Sequence, residues 1–300
     1  MFLRLLFFSI FPFAAINLHS QNYVDLLKVH HTHYASAAFS DSTSLKRGFE
    51  EFAFDLKAPL KVNSKLVIVS GLYSEYTKLR LYSQSSLQTQ IYSVAPVVGV
   101  NYKWNEKWKG TFVFLPKLAS DFIKIGRSDF QFGGNVLLEK MANKVNCKFG
   151  LYYNAEKSGS LFVPLLGFYY LSKNSKLEVD VVAPVWADVN YAVQNRVKLG
   201  ANFRAVVRSY HLNSEWGSGY VVKSVNELFV YLQFNLTKRL IIQGKAGYSI
   251  GRNHRVYNSG DQYDFAFSAV RFGDDRLKQN TDFKNGLMFQ TRLIYRLQLP

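Results

Sequence analysis

The sequence predicts an all-β fold, a transmembrane antiparallel β-barrel, and three observations carry that prediction. Aromatic residues make up 16% of the 300 positions, with 25 Phe and 19 Tyr. Strands favour such residues, and a barrel in a bilayer needs aromatic girdles at both interfaces. After the N-terminus no apolar run reaches the roughly 18 to 20 residues of a spanning helix, so any membrane crossing must be made by strands. Segment after segment alternates apolar and polar residues with period two, as a strand between lipid and a wet lumen must. The last segment shows this most cleanly. Phe289, Thr291, Leu293, Tyr295, Leu297 and Leu299 share one face, and Gln290, Arg292, Ile294, Arg296 and Gln298 share the other.

Taken in order, the chain begins MFLRLLFFSIFPFAAINLHSQ. One basic residue, Arg4, precedes an apolar core from Leu5 to Ile16, and a short polar run ends in the small residue Ser20. This is the pattern of a secretory signal peptide; it makes residues 1–20 a cleaved leader and residues 21–300 a single barrel domain. Cys147 is the single cysteine, so the exported fold must manage without an internal disulfide. A closed barrel can, because every strand is hydrogen-bonded on both edges.

Beyond the leader, Gly48 to Val62 sets Phe52, Phe54, Leu56, Ala58, Leu60 and Val62 against Glu51, Asp55, Lys57 and Lys61. Ile91 to Trp104 sets Tyr92, Val94, Pro96, Val98, Val100, Tyr102 and Trp104 against Ser93, Gly99, Asn101 and Lys103. Phe130 to Glu139 and Arg196 to Arg208 repeat the pattern, the latter with Val197, Leu199, Ala201, Phe203, Ala205 and Val207 facing Lys198, Asn202, Arg204 and Arg208. Between strands recur turns rich in Asn and Lys: Ala58 to Leu66, Asn101 to Trp108, Leu137 to Val145, Tyr169 to Leu177, Asn190 to Val197 and Phe234 to Leu240. Such short turns belong on the periplasmic rim. Longer polar segments, the extracellular loops, are Ser40 to Arg47, Ser83 to Thr89, Asp121 to Arg127, Asn154 to Ser160, His211 to Tyr220 and Asn258 to Lys284.

Two connections per hairpin give about fourteen strands, an even number that puts both ends of the barrel on the periplasmic side. The count requires two short strands within Leu177 to Ala192, joined by a tight outer hairpin near Ala183 and Pro184. Read as one strand, that stretch breaks the parity, and twelve is the alternative count. Pro59, Pro96, Pro116, Pro164 and Pro184 fall in strand-like segments; proline cannot donate to a ladder, so bulges or rim positions are expected there.

The signal ending in Ser-Gln, the turns NYKWNEKW and YYLSKNSKL, and VVAPVWADVNYAV, in which a proline precedes a strand leading into such a turn, resemble a family of bacterial outer-membrane barrels known only as a domain of unknown function. The resemblance spans essentially the whole mature chain. It implies the fold and a place in the outer membrane of a Gram-negative bacterium, among outer-membrane lipids, with the barrel-assembly machinery as a partner during folding. It brings no catalytic residues.

The formal net charge is +16. Export sets nucleic acid aside as a partner, which leaves a solvated turn and headgroup face or an anion-attracting pore. The inward positions Glu51, Asp55, Lys198, Arg204, Arg208, Lys245, Arg292 and Arg296, with Lys103, Glu178 and Asp180, form the candidate lumen and ion pathway. Acids interleave with bases, which favours a structural ionic network filling the lumen slightly over an open pathway. The expected role is a passive channel or structural barrel, favouring small anionic solutes when open. Trp104, Trp108, Tyr169, Tyr170 and Tyr191, with Trp186, are expected to be interfacial anchors.

His31 and His33, beside His30, make an H-x-H pair, but no third ligand stands at a matched spacing, so no metal or cofactor is expected. A lipid-modifying enzyme, the alternative class, would need Ser and His on one wall; the candidates are His211 and His254 with Ser209, Ser214 and Ser249. A surface-binding module would use the segment 258–284, where Tyr263, Phe265, Phe267 and Phe272 alternate with polar residues. Neither carries a motif, and no enzymatic activity is expected.

Overall fold

A computed structural model describes residues 23–35, 38–41, 48–142, 145–213 and 218–298. The expected leader, most of the loop from Ser40 to Arg47, and Ser214 lie outside the described residues. Fourteen long strands form the wall: β1 (Tyr23–Tyr34), β2 (Phe49–Lys57, resuming at Leu60–Lys61), β3 (Leu66–Leu79), β4 (Thr89–Lys103), β5 (Trp108–Ser120), β6 (Phe130–Lys140), β7 (Val145–Glu156), β8 (Gly159–Leu171), β9 (Leu177–Ala183), β10 (Trp186–Gln194), β11 (Val197–Leu212), β12 (Gly219–Asn235), β13 (Leu240–Asn258) and β14 (Gly286–Gln298). Each pairs antiparallel with its chain neighbours, and β14 pairs with β1 from Tyr23↔Gln298 to Tyr34↔Met288, which closes the ring. No described helix is long and apolar enough to cross a membrane.

Period two is realised as expected. Leu228, Val230, Leu232 and Phe234 of β12 are exposed outward, and Phe229, Tyr231 and Gln233 between them are buried inward. All six Asn/Lys turns join neighbouring strands on one rim, and the tight hairpin at Pro184–Val185 lies on the other. One expected loop, Asn154 to Ser160, is instead a two-residue turn at Lys157 and Ser158, because β7 and β8 stay paired to Glu156↔Gly159. Pro59 separates β2 from its continuation, and Pro96 and Pro116 share the gap in the β4–β5 ladder between Val94↔Leu118 and Val98↔Phe114. An absent N–H costs nothing where the ladder is already broken.

The shortness of β9 and β10 shapes the upper half, the half toward the long loops. The β8–β9 ladder ends at Ala183↔Leu166, so Gly159 to Leu165 of β8 rise above β9. β10 leaves β11 at Trp186↔Arg204. Above that height β11 stays paired with β12 but turns into the lumen, where His211 forms a parallel bridge to Ser120 of β5, across the ring. A register shift in the β12–β13 ladder at Ser224/Asn226, with Gly251 at φ 62°, accompanies the bend; bulges sharpen twist, and glycine takes a positive φ without a Cβ clash. Tyr210, Leu212, Val221 and Val256 from the infolded strands thus bury themselves against Tyr34, Leu79, Ile91 and Ala119 of the opposite wall. This is the main apolar core of the described residues.

The long connection between β13 and β14 carries a small hairpin, Phe265–Phe267 with Val270–Phe272. Its first strand runs parallel to Ser160–Phe162 of β8, on the edge that β9 leaves unpaired.

Candidate functional site

The inward side chains form a charged column inside the barrel, built wherever a polar position of one strand meets those of its neighbours. At mid-height Lys223, Glu51, Glu75 and Glu227 are fully buried, with Arg204 and Arg208 half-buried beside them. Lys223 of β12 lies between two carboxylates, 2.5 Å from Glu51 Oε2 and 2.9 Å from Glu75 Oε1. Arg204 bonds Glu227 at 2.7 Å and Glu51 at 3.5 Å, and Arg208 bonds Glu75 at 2.8 Å. The hydroxyl of Tyr34 donates to Glu227 at 2.7 Å and that of Tyr210 to Glu75 at 2.5 Å. Three acids thus face three bases with phenolic donors on the spare lone pairs, the saturation a buried ion network needs.

Higher up, Glu156 of β7 accepts from the backbone N–H of Ser209 at 2.6 Å and takes Lys117 at 2.8 Å, while Gln131 donates to the Ser209 carbonyl at 3.0 Å. These side chains replace the ladder partners that β11 lost on leaving the wall, because a buried backbone group must find a partner somewhere.

Below the ionic core, toward the short-turn rim, lies a cavity of about 320 Å³ lined by Asp25, Lys28, Glu178, Asp188, Arg292 and Arg296 among others. Most of its acids are engaged. Asp25 meets Arg296 at 2.6 Å and Lys28 at 3.2 Å, and Glu178 takes Lys198 at 3.3 Å. Asp188 accepts from the hydroxyl of Tyr231 at 2.9 Å. The bases are less matched. Arg292 bonds through Nη2 to Gln290 at 3.0 Å, and its buried Nε has no hydrogen-bond partner. Lys245 donates to Asn202 at 2.8 Å and lies over the Phe229 and Tyr231 rings.

The predicted lumen residues therefore divide. Glu51, Arg204 and Arg208 belong to the ionic core; Lys198, Arg292 and Arg296 line the cavity; Lys245 lies between them, and Asp55 is half-buried opposite Lys28 in the β1–β2 ladder. Lys223, Glu75 and Glu227 were missed. Glu227 was legible, since Leu228, Val230, Leu232 and Phe234 form an apolar face opposite Glu227 and Gln233, whereas Lys223 shares its face with Val221 and Val225 and stands opposite Ser224, so no alternation marks it. Glu75 stands in Tyr73-Ser74-Glu75-Tyr76, where amphipathic tyrosines blur the two faces.

Among the expected anchors, Trp104 and Tyr191 are exposed, Trp108 and Tyr170 half-buried. Tyr169 departs from expectation: it points inward, buried, and its hydroxyl donates to Glu178 at 3.1 Å. Adjacent strand residues face opposite ways, so Tyr169 and Tyr170 cannot both be outside. Trp186 likewise lines the cavity, on the same face as Asp188.

His31 stacks on Phe52 at 4.3 Å and approaches Glu50 at 3.8 Å. Among the described residues no group of three His, Cys, Asp or Glu could hold a metal. Among the described residues, the Ser and His suggested for an enzyme do not pair with one another: Ser209 serves Glu156, Ser249 Oγ donates to the Gly286 carbonyl at 3.1 Å, and His254 lies edge-on to Phe49 and Phe283. His211 instead meets Asp129 at 2.7 Å through Nδ1, with Ser128 Oγ at 3.4 Å from the same nitrogen and the exposed Ser218 at 3.5 Å from Nε2. Asp129 also accepts the Gly126 N–H at 2.7 Å, and the His211 carbonyl accepts from Asp121 at 3.1 Å. His211 thus staples the infolded end of β11 to the β5–β6 loop.

No curated protein matches the chain. Solved structures resemble it over most of its length at low identity. A NanC porin shares 9% identity over 90% of this chain and 100% of that one, at a TM-score of 0.40. OprB of Pseudomonas putida shares 9% over 92% and 94%, at 0.34, and a FadL homologue of Pseudomonas aeruginosa shares 11% over 90% and 89%, at 0.37. The chain's own closed ring carries the fold assignment, and the profile described as Domain of unknown function (DUF6268) matches residues 17–290, so the protein belongs to that family of β-barrels.

Proposed function

We propose that the protein is a passive outer-membrane barrel of a Gram-negative bacterium whose periplasm-facing cavity takes small anions, with the ionic core above it as the constriction. The observation that supports this is Arg292, whose buried Nε lacks a partner in a cavity where Asp25 and Glu178 already have bases on them. Asp188 is a cavity acid with no base on it among the described residues, but Lys28, Lys57, Lys198, Arg292 and Arg296 outnumber Asp25, Glu178, Asp180 and Asp188 in the lining. The surplus is therefore positive, and a small anion would complete it as a paired carboxylate does elsewhere in the lumen. The ionic core and the apolar layer above it fill the upper lumen, so conduction requires the infolded strands to shift.

Single-channel conductance of the refolded, leader-free protein tests this. Small steps with anion preference are expected, and Arg292→Gln should lower the anion-to-cation permeability ratio. Cation preference, or a ratio untouched by that change, would overturn the anion assignment. A silent bilayer, with folding confirmed by heat-modifiable gel mobility, would mean a structural barrel.

A further inference from the structure

Above β9 the wall has a slot, bounded by Gly159 to Leu165 of β8 on one side and by the inward-turning β11 on the other. The hairpin Phe265–Phe272 fills it. Its pairing with β8 is in parallel register, Phe265↔Ser160, Ala266↔Leu161 and Phe267↔Phe162, and paired residues face the same way. Ala266, 2% exposed, therefore faces inward to join Leu161, Val163, Leu165 and Tyr263 in an apolar cluster. Phe265, Phe267, Val270 and Phe272 face outward and are 42 to 58% exposed. They continue the outer aromatic row in which Tyr153 packs on Phe162 at 4.9 Å, and Phe265 stacks on Phe272 at 4.6 Å.

We propose that this hairpin is a wall panel of the barrel, seated against the acyl chains and interfacial region of the outer leaflet, and not a water-exposed receptor loop. The inference rests on the outer-membrane reading above. Four adjacent apolar side chains on a short loop hairpin would be costly in water and are ordinary beside lipid. Continuity with the apolar outer face of β8 names the partner: lipid. Attachment is one-sided. The Ser268 N–H donates to the Phe162 carbonyl at 2.7 Å and the Tyr263 N–H to the Ser158 carbonyl at 3.0 Å, whereas Val270–Phe272 pairs only with its own hairpin partner among the described strands. The panel hangs from β8 and has a free edge toward β11.

The test is depth-resolved fluorescence quenching in vesicles. In a Cys147→Ser background, Phe267→Cys carries an environment-sensitive fluorophore, and phosphatidylcholine bearing a shallow acyl-chain nitroxide is the quencher. Leu166→Cys, on the outward face of β8 and 62% exposed, is the membrane control; Leu277→Cys, 74% exposed in the same long connection, is the water control. Phe265→Cys serves as a second panel position should Phe267→Cys fail to fold by gel mobility. Quenching at the panel within about twofold of the Leu166 control, with little at Leu277, is the expected result. Quenching at Leu166 but not at the panel overturns the proposal and leaves the membrane barrel standing. No quenching at any position removes the membrane reading itself, and the panel with it.

Discussion

The lower and upper halves of this barrel follow the same period-two rule and fill their interiors in opposite ways. In the lower half the strands stay in the wall and inward charges pair along it, Arg296 with Asp25 on the neighbouring strand and Lys198 with Glu178 two strands away, leaving a cavity between the walls. In the upper half β11, β12 and β13 enter the lumen themselves and Tyr210, Leu212 and Val256 fill it. Side chains can fill a lumen with only local pairing, whereas backbone brings N–H and C=O groups that must each be answered. Glu156, Gln131 and Asn280 are spent on that task.

The ionic core joins the two halves, and breaking it should have the largest effect. Lys223→Met leaves Glu51 and Glu75 buried without their shared base. Removing one partner of a buried pair costs about 3 to 5 kcal/mol, so this variant should unfold at clearly lower urea than the parent, followed by gel mobility in vesicles. An unchanged midpoint would mean that the core is not what ties the infolded strands to the wall.

A smaller and local effect is expected at the panel. Gly159 has φ 127°, and a Cβ there would stand 2.5 Å from the Tyr263 ring. Gly159→Ala should cost about 1 to 3 kcal/mol through backbone strain and this contact. It should appear as faster protease cleavage between residues 258 and 284, with anion preference unchanged. Altered selectivity would show that the two halves are coupled more tightly than their separate packing implies.

The smallest effect concerns acid. In the long connection Asp282 is held below the usual aspartate range by hydrogen bonds from Arg255, and Asp274 by those from Arg276. A carboxylate with a lowered folded pKa stabilises docking at and above its ordinary pKa, and that contribution fades as pH falls through the lowered value. Amide exchange in segment 274–282 should therefore rise below about pH 4, with little change in the β1–β3 wall. Rising exchange between pH 5 and 7 would contradict the assignment.

How much of this was legible follows the same division. The outward belt, the six short turns and the tight hairpin at Pro184 were readable because turn chemistry and period two are local signals. So were Arg204, Arg208, Arg292 and Arg296 as inward residues. That Arg208 answers Glu75 while Arg292 lies in the cavity was not readable, because it depends on β11 leaving the wall at Arg204. Period two tells inside from outside; it does not tell lumen from a second layer of chain. The sequence around Tyr263 to Phe272 alternates like a strand, but its partner, Ser160–Phe162, lies more than a hundred positions away.

The bond between Asp25 and Arg296 crosses the seam of the ring and spans 271 positions of chain. Such a contact contributes nothing until nearly everything between its partners has been made, and long-range pairing of this kind is slow. Until β14 meets β1, each offers an open row of N–H and C=O groups to any passing strand. Zipping the seam is therefore a late event, and the chain's exposure to aggregation is concentrated in the interval before it. A molecule lacking β14 would keep both edges open for its lifetime.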